Sequence, residues 1–474
     1  MNREKLELVT DLYEFTMSNG YFEKQRNEIA YFDIFFRNVP DGGGYAIAAG
    51  LNEVIDYIQN LRFDKEDIEY LKGLNIFSDK YLEYLSNFKF TGDIWAIPEG
   101  TVVFPREPLL TVRANIVEAQ ILETAMLLLI NHESLIATKT SRIVRAAQGR
   151  PIMEFGARRA HGVSAAVYGA RAAIIGGAVG TSCVLTAQKF NVPASGTMAH
   201  SWVQSFESEY EAFKAYAEIY PNNCLLLVDT YNTLESGIPN AIRVFEEILK
   251  PQGIRPLGVR LDSGDLAYLS KEVRKMLDEA GYEDCKICVS NSLDEYLIQS
   301  LFDQDAKIDS FGVGENLITA KSDAVFGGVY KLAALEKNGN IIPKIKISEN
   351  VEKITNPGFK KVYRFYCKDT GFALADLVTL ADEEVSDVEY DLFDEHNTWK
   401  KKHLVNYTVK PLQEQIFKNG ELVYKTPELK EIAAYCREQL GTLWEEVKRL
   451  RNPQKYYVDI SQKLYDLKMK MLNK

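Results

Sequence analysis

Two rhythms of apolar and polar residues divide the chain. Residues 1 to about 115 are rich in Tyr and Phe and read mainly as strands. Ala30-Tyr31-Phe32-Asp33-Ile34-Phe35-Phe36-Arg37 is one such run, and Asp93 to Arg113 carries several more, broken by Pro98-Glu99-Gly100 and Pro105. A helical pattern runs from about Val117 to Gln148. From Pro151, short apolar runs recur at Ile152–Phe155, Pro193–Ala199, Leu225–Val228, Leu257–Leu261, Cys285–Val289 and Ile308–Phe311. Most gaps between them have helical spacing, as at Ser263–Ala280, closed by Gly281, and at Ser292–Ala306. Strand–helix alternation implies a parallel sheet, and six units in succession favour a closed or nearly closed barrel over an open sheet.

After about Ser322 the pattern loosens. Lys344, Lys346, Lys353, Lys360 and Lys361 surround Asn356-Pro357-Gly358 and read as a solvated hairpin and loop. Residues from about Thr426 to Lys474 read as charged helices on the outside. Val167–Ala187 is the most membrane-like run, but its glycines and Arg171 make it a buried helix and turn rather than a span.

Composition narrows the function. With 474 residues, 46% apolar and 26% charged, the chain is long enough for two or three domains and a large core. A net charge of -11 argues against nucleic-acid binding, so an anionic substrate must be held by a few local Arg or Lys residues. Six scattered cysteines and no apolar signal region behind Met1–Lys5 suit a reducing, cytoplasmic setting and no membrane. Cys285-x-x-Cys288 has no second pair nearby and reads as a buried strand rather than a metal or redox site.

The chemistry lies just beyond each apolar run. Glu154-Phe155-Gly156-Ala157-Arg158-Arg159 ends the first and Ser195 to Ser201, with His200, the second. Asp229-Thr230, Arg260 to Asp265, Ser290-Asn291-Ser292 and Gly312 to Asn316 end the others. In a parallel barrel these ends meet on one face, where active sites are built. Arg158 and Arg260 offer planar forks that match phosphate oxygens, and Gly312 and Gly314 let backbone N–H groups approach an anion. His200 can serve as base, metal ligand or nucleophile toward phosphorus, and local sequence does not choose. Leu225 to Thr233 looks like the strand and acidic pair of one phosphoribosyltransferase class. Its second acid is replaced by Thr230, so Asp229 reads only as a strand-end acid.

Taken together, Thr10 to Glu14, Phe32 to Arg37, Glu154 to Arg159, Gly180-Thr181-Ser182, Ser195 to Trp202, Val259 to Leu266, Gly312 to Thr319 and Asn452-Pro453 resemble the nicotinate phosphoribosyltransferase family along nearly the whole chain. The resemblance implies an α/β fold: an irregular, TIM-like α/β barrel joined to a β-rich domain formed from both chain ends, with C-terminal helices. The expected divisions are 1–115 for the N-terminal part of the β-rich substrate and dimer domain and 116–340 for the catalytic barrel. Residues 341–474 would complete the β-rich domain and add the helical extension. The resemblance also implies a homodimer with a shared active site.

Carried over by residue, Tyr13 of one subunit and Phe155 of the other would sandwich the pyridine ring, with Thr197 beside nicotinate. Arg158 and Arg260 would hold the ring carboxylate and substrate phosphates. Asp229 and Asp262 would serve the ribose hydroxyls or Mg²⁺, with Asp262 the metal candidate. Ser290, Asn291, Gly314 and Glu315 would border the 5-phosphate of phosphoribosyl pyrophosphate, and His200 would be phosphorylated by ATP. His200, Asp229 and Arg260 form the expected catalytic set. The implied reaction is ATP-coupled synthesis of nicotinate mononucleotide, the first step of NAD salvage from nicotinate. The nicotinamide-specific relatives place an Asp where this chain has Ser182, which favours nicotinate. A barrel lyase or isomerase acting on a sugar phosphate and a non-catalytic phosphate sensor stay open as alternatives; quinolinate phosphoribosyltransferases are shorter and lack the His200 segment.

Overall fold

The apolar runs after Pro151 fold as short parallel strands, Ile152–Glu154, Gly180–Thr181, Leu225–Leu227, Gly258–Leu261, Lys286–Val289 and Ser310–Val313. In the computed structural model, which describes residues 5–24, 26–350 and 353–473, these strands make one six-stranded sheet. Its order is Gly180–Thr181, Ile152–Glu154, Ser310–Val313, Lys286–Val289, Gly258–Leu261, Leu225–Leu227. That is sequence order rotated, with the first strand beside the last and Glu154 opposite Val313. Such an order belongs to a barrel, not to a sheet growing outward from its middle. A parallel bridge from Thr181 to Ala194 extends the wall by one segment. Among the described residues the ladder is interrupted once, between Ala194 and Leu225–Leu227.

Two expectations fail here for local reasons. Pro193–Ala199 is not a strand; only Ala194 bridges, because Pro193 has no N–H and Gly196 gives a strand nothing to pack. Gly180–Thr181 is a strand without an apolar run to announce it. The helices between strands start where capping residues stand. Asp265 accepts from the Tyr268 N–H at 3.0 Å and opens Leu266–Glu279, which Gly281 closes with φ 79°. Asp294 caps Glu295–Asp303, whose first residue is fully buried against Lys139 at 2.9 Å and Arg142 at 3.0 Å. Cys285 and Cys288 are buried at the Lys286–Val289 strand, and burial raises the Cys285 thiol to about 12.

The chain forms two compact units, Ile136–Ala324 and Met1–Leu135 with Val325–Lys474. The first is narrower than the 116–340 read from the sequence, because the division falls inside the Glu123–Ala146 helix. The second unit draws on both chain ends. Its antiparallel seven-stranded sheet runs Asn340–Pro343, Val329–Lys337, Ile29–Phe35, Leu110–Asn115, Asp93–Ala96, Glu414–Lys418, Glu421–Leu422.

The N-terminal region is less β-rich than its aromatic content suggests. Helices Leu12–Glu23, Leu51–Asn60, Lys65–Gly73 and Asp79–Ser86 occupy much of it. Asp64 and Asp67 form a reciprocal capping box for the third, and Ser78 caps the fourth. Lys360 is not solvated: it is 3% exposed, in the Lys360–Cys367 strand, and pairs with buried Asp33 at 2.8 Å. The C-terminal region holds the helices Leu429–Gly441 and Gln462–Leu472, but also the strand Val458–Ile460, which pairs with Ala373–Leu380. Among the described residues no helix is long and apolar enough to cross a membrane.

Candidate active site at the strand ends

Parallel strands carry consecutive loops out of the same end, so a barrel gathers residues far apart in sequence. Phe155 follows Ile152–Glu154, Ser182 follows Gly180–Thr181, and Thr197 and His200 follow the Ala194 bridge. Asp229 lies just beyond Leu225–Leu227, Arg260 and Asp262 at the end of Gly258–Leu261, Ser290 and Asn291 after Lys286–Val289, and Gly314 and Glu315 after Ser310–Val313.

Side chains span the interruption in the ladder. His200 starts the short helix His200–Gln204 on one lip. Its Nδ1 lies 3.1 Å from Thr230 Oγ1 and its Nε2 3.7 Å from Asp262 Oδ2, both on the other lip. Arg260 Nη2 donates to the Met198 carbonyl at 2.8 Å. Asp229 Oδ2 accepts from the Asp262 N–H at 2.8 Å and the Ser263 hydroxyl at 2.6 Å. Ser290 donates its hydroxyl to Asp262 Oδ1. A continuous polar chain thus joins Ser290, Asp262, His200 and Thr230, with Asp229 fixing the Asp262 backbone.

Three atoms in this group are buried without a protein partner: Asp229 Oδ1, Arg260 Nε and Thr197 Oγ1. A ligand seated among these strand ends would satisfy them. One acceptor, one cationic donor and one hydroxyl suit a polyhydroxylated anion. The carboxylate oxygens of Asp229 and Asp262 are also donors of the hard kind that Mg²⁺ takes.

The remaining positions sort clearly. Arg158 is exposed in the turn Ala157–Arg159. Phe155 is partly exposed, with its ring packed on Gly312. Asn291 holds φ 106°, a sparsely populated conformation for a residue with a side chain, in the turn after buried Ser290. The Glu315 carboxylate is bound to Lys321 at 2.7 Å and lies 3.9 Å from Arg159; Lys321 holds it below the usual range. Its charge is thus largely compensated. Tyr13 belongs to the other unit, second in the helix Leu12–Glu23 and 43% exposed.

Sequence reasoning misses Thr230, Ser263 and the Met198 carbonyl. Thr230 is visible there only as the residue that spoils an acidic pair; its hydroxyl is what His200 meets.

Comparisons with known proteins agree along the chain. The nicotinate phosphoribosyltransferase (NAPRTase) N-terminal domain matches residues 8–131, the NAPRTase family residues 151–373 and the C-terminal domain residues 359–468. Nicotinate phosphoribosyltransferase of Bacillus subtilis is 45% identical over 472 residues, covering 99% of this chain and 96% of the relative. The Homo sapiens protein of that name is 31% identical over 97% of this chain and 95% of its own. The crystal structure of human nicotinic acid phosphoribosyltransferase superposes with a TM-score of 0.86 at 30% identity, covering 98% of this chain and 99% of that one. The structure of nicotinate-nucleotide pyrophosphorylase from Pyrococcus furiosus gives 0.71 at 26% identity, covering 93% and 97%.

Proposed function

The chain belongs to the nicotinate phosphoribosyltransferase family, and from that premise we propose how its side chains divide the work. The reaction joins nicotinate to phosphoribosyl pyrophosphate and yields nicotinate mononucleotide and pyrophosphate. The pyridine nitrogen forms a bond to the anomeric carbon while the bond to pyrophosphate breaks, through a cation-like transition state. The nitrogen needs little activation, so positioning supplies much of the rate.

The observation that carries the assignment is the contact of His200 with Thr230 and Asp262 across the interrupted ladder. In this reading an imidazole nitrogen of His200 attacks the γ-phosphorus of ATP, the N–P bond forms and ADP leaves. The phosphoryl group adds roughly -1.5 to -2 charges, by analogy with other phosphorylated side chains. It does so beside the Asp262 carboxylate, so an attractive or neutral contact becomes a repulsive one. The two lips then favour a different arrangement, which binds the diphosphate substrate more tightly. Water later cleaves the N–P bond, restores the first arrangement and releases product. The coupling requires different affinities in the two states.

Arg260 and Arg158 serve the substrate anions, Asp229 and Asp262 the ribose hydroxyls and the cation, and Ser290, Asn291, Gly314 and Glu315 border the 5-phosphate. Mg²⁺ held by Asp229 and Asp262 would neutralise charge on the departing pyrophosphate. Thr197 and Ser182 offer hydroxyls to nicotinate. A hydroxyl at 182 can donate to a carboxylate, whereas an Asp would repel it, which favours nicotinate over nicotinamide. Two subunits complete the site, with Tyr13 of one and Phe155 of the other on opposite faces of the ring. Leu12, Tyr13 and Met17, 53%, 43% and 40% exposed, form the apolar surface a second subunit would cover.

The test mixes purified protein, Mg²⁺ and phosphoribosyl pyrophosphate with nicotinate or nicotinamide, with and without ATP, and follows mononucleotide by chromatography. Product from nicotinate, raised by ATP and no longer raised in His200→Ala, is the expected result. Undiminished ATP stimulation in His200→Ala would remove His200 from the coupling; product from nicotinamide alone would overturn the role of Ser182.

A further inference from the structure

Glu154 ends the first barrel strand and has no exposed surface, so it cannot touch substrate. Its two carboxylate oxygens face two different loops. Oε1 accepts from the Gly156 N–H, in the loop that carries Phe155. Oε2 accepts from the Thr181 hydroxyl at 2.6 Å. Thr181 Oγ1 in turn accepts from the Cys183 N–H at 2.9 Å. Between Thr181 and Cys183 stands Ser182, whose own N–H donates to the Glu154 carbonyl at 2.8 Å. The far side of that loop is fixed as well: the Thr181 N–H donates to the Pro193 carbonyl at 3.1 Å, and the Ser195 N–H to the Thr181 carbonyl at 2.8 Å.

An ionisable group is a costly way to tie two loops together. Burial raises the Glu154 carboxyl above its ordinary range, and only the bonds from Thr181 and Gly156 act against that. An uncharged side chain could hold the strand end at lower cost. What the carboxylate supplies is two strong acceptors at a fixed separation, one for each loop. Both loops carry residues assigned above to nicotinate: Phe155 on the ring face, Ser182 on the carboxylate.

We propose that Glu154 is a positioning residue for nicotinate, fixing the distance between the stacking ring of Phe155 and the carboxylate-reading hydroxyl of Ser182. The inference rests on the assignment of those two residues and deepens it. Nicotinate has a ring and a carboxylate at fixed separation, so two contacts held at the matching separation bind it without first being ordered, and the Ser182 hydroxyl, held at the carboxylate, separates it from nicotinamide. Loosening the link weakens nicotinate binding and its distinction from nicotinamide. It leaves phosphoribosyl pyrophosphate, assigned to Arg260, Asp262 and the later strand ends, bound as before.

Two conservative variants test this. Thr181→Val keeps shape but removes both the donor to Glu154 and the acceptor for Cys183. Glu154→Gln keeps shape and one acceptor. Thr181→Val should raise the KM for nicotinate roughly tenfold, the factor that one or two lost buried hydrogen bonds carry, with the KM for phosphoribosyl pyrophosphate within about twofold of wild type. Glu154→Gln should show the same split more weakly. The double variant should be little worse than Thr181→Val, because both changes cut one link. Nicotinate-over-nicotinamide preference should narrow in step.

Equal rises in both KM values, or unchanged nicotinate KM with a lowered melting temperature, would overturn the proposal and leave Glu154 a purely structural residue. Should Thr181→Val fail to fold by circular dichroism, Glu154→Gln carries the same comparison. Wild-type protein that makes no mononucleotide in the parallel assay would defeat the assignment of function, a failure distinct from equal KM changes in an active enzyme.

Discussion

The ring of Phe155 lies directly over Gly312: a Cβ placed on Gly312 would stand 2.4 Å from Phe155 Cδ2 and 2.5 Å from Cε2. Gly312 lies in the strand Ser310–Val313 and Phe155 just beyond the neighbouring strand Ile152–Glu154, and the Phe155 N–H donates to the Val313 carbonyl at 2.8 Å. From sequence, Gly312 suggests backbone approach to an anion. In the fold its lack of a side chain makes the shelf on which an aromatic ring rests.

Gly312→Ala should therefore tilt or lift the Phe155 ring, since the backbone on either side is held in the sheet. If Phe155 stacks on nicotinate, the KM for nicotinate rises by about tenfold, comparable to losing one aromatic contact of about 1 kcal/mol plus some strain. Steady-state kinetics with nicotinate as the varied substrate checks this, and unchanged kinetics would show that the ring is not a substrate contact.

Thr230→Val removes the hydroxyl 3.1 Å from His200 Nδ1 and nothing else of similar size. The imidazole then loses one of the two partners that orient it, the other being Asp262. ATP turnover should fall by about tenfold in the presence of nicotinate, while ATP-independent mononucleotide synthesis changes less. Phosphate release and mononucleotide formation, measured in the same samples, separate the two.

Much of the barrel can be read in advance because apolar runs such as Leu225–Leu227 and Lys286–Val289 alternate with helices whose caps, Asp265 and Asp294, are local signals. Gly180–Thr181 cannot, since a two-residue strand with one glycine has no period. The helices before residue 90 are masked by their aromatic residues, although the Asp64–Asp67 box and Ser78 announce two of them. At the site, the strand-end positions are legible because parallel topology dictates where they converge. Their partners are not: Thr230 meets His200 only because the ladder is interrupted beside Leu225–Leu227, and Lys360 is buried only because Asp33 lies behind it. Such pairings are made by tertiary structure and leave no spacing in the sequence.

Glu14 gives a pH signature to the unit formed by both chain ends. It is fully buried and accepts from the Thr124 N–H at 3.0 Å and the Thr10 hydroxyl at 2.6 Å. Burial first, and the neighbouring Glu123 charge after it, raise its carboxyl to about 7 against those hydrogen bonds. In the unfolded chain the group ionises near about 4.3. Between those values the folded state holds more protons, so this contribution to stability is complete below the unfolded pKa and is lost as pH rises through about 7. Glu14→Gln cannot ionise, so its stability loss between about pH 5 and pH 8 should be smaller by on the order of 2 kcal/mol after screening. Melting curves at the two pH values give the comparison; parallel slopes in both proteins would contradict it.

Glu295 is the carboxylate shared by buried Lys139 and Arg142. Glu295→Ala leaves two buried cations without it and should destabilise the barrel unit by about 3–5 kcal/mol, whereas Glu295→Gln should cost less. Trp202, the one tryptophan between residues 136 and 324, reports unfolding of that unit in urea. A midpoint shift without a change in slope would mark a change in stability alone.

Asp229 distinguishes a structural acid from a ligand-binding one, because its two oxygens have separate jobs. Oδ2 is fully used, holding the Asp262 N–H and the Ser263 hydroxyl, while Oδ1 is buried with no protein partner. Asp229→Asn can keep the first job with its carbonyl oxygen and must put an amide where the free oxygen stood. If the acid were only structural, the change would cost little activity. If Oδ1 meets Mg²⁺ or a ribose hydroxyl, the amide removes a charged ligand, and kcat/KM for phosphoribosyl pyrophosphate should fall by about 100-fold, or about 2.7 kcal/mol. Half-maximal activity should also need more Mg²⁺ if the oxygen meets the cation, and the same Mg²⁺ if it meets the sugar. Titrating Mg²⁺ at saturating substrate therefore separates the two ligands, and a variant with wild-type activity would return Asp229 to the role of holding Asp262 in place.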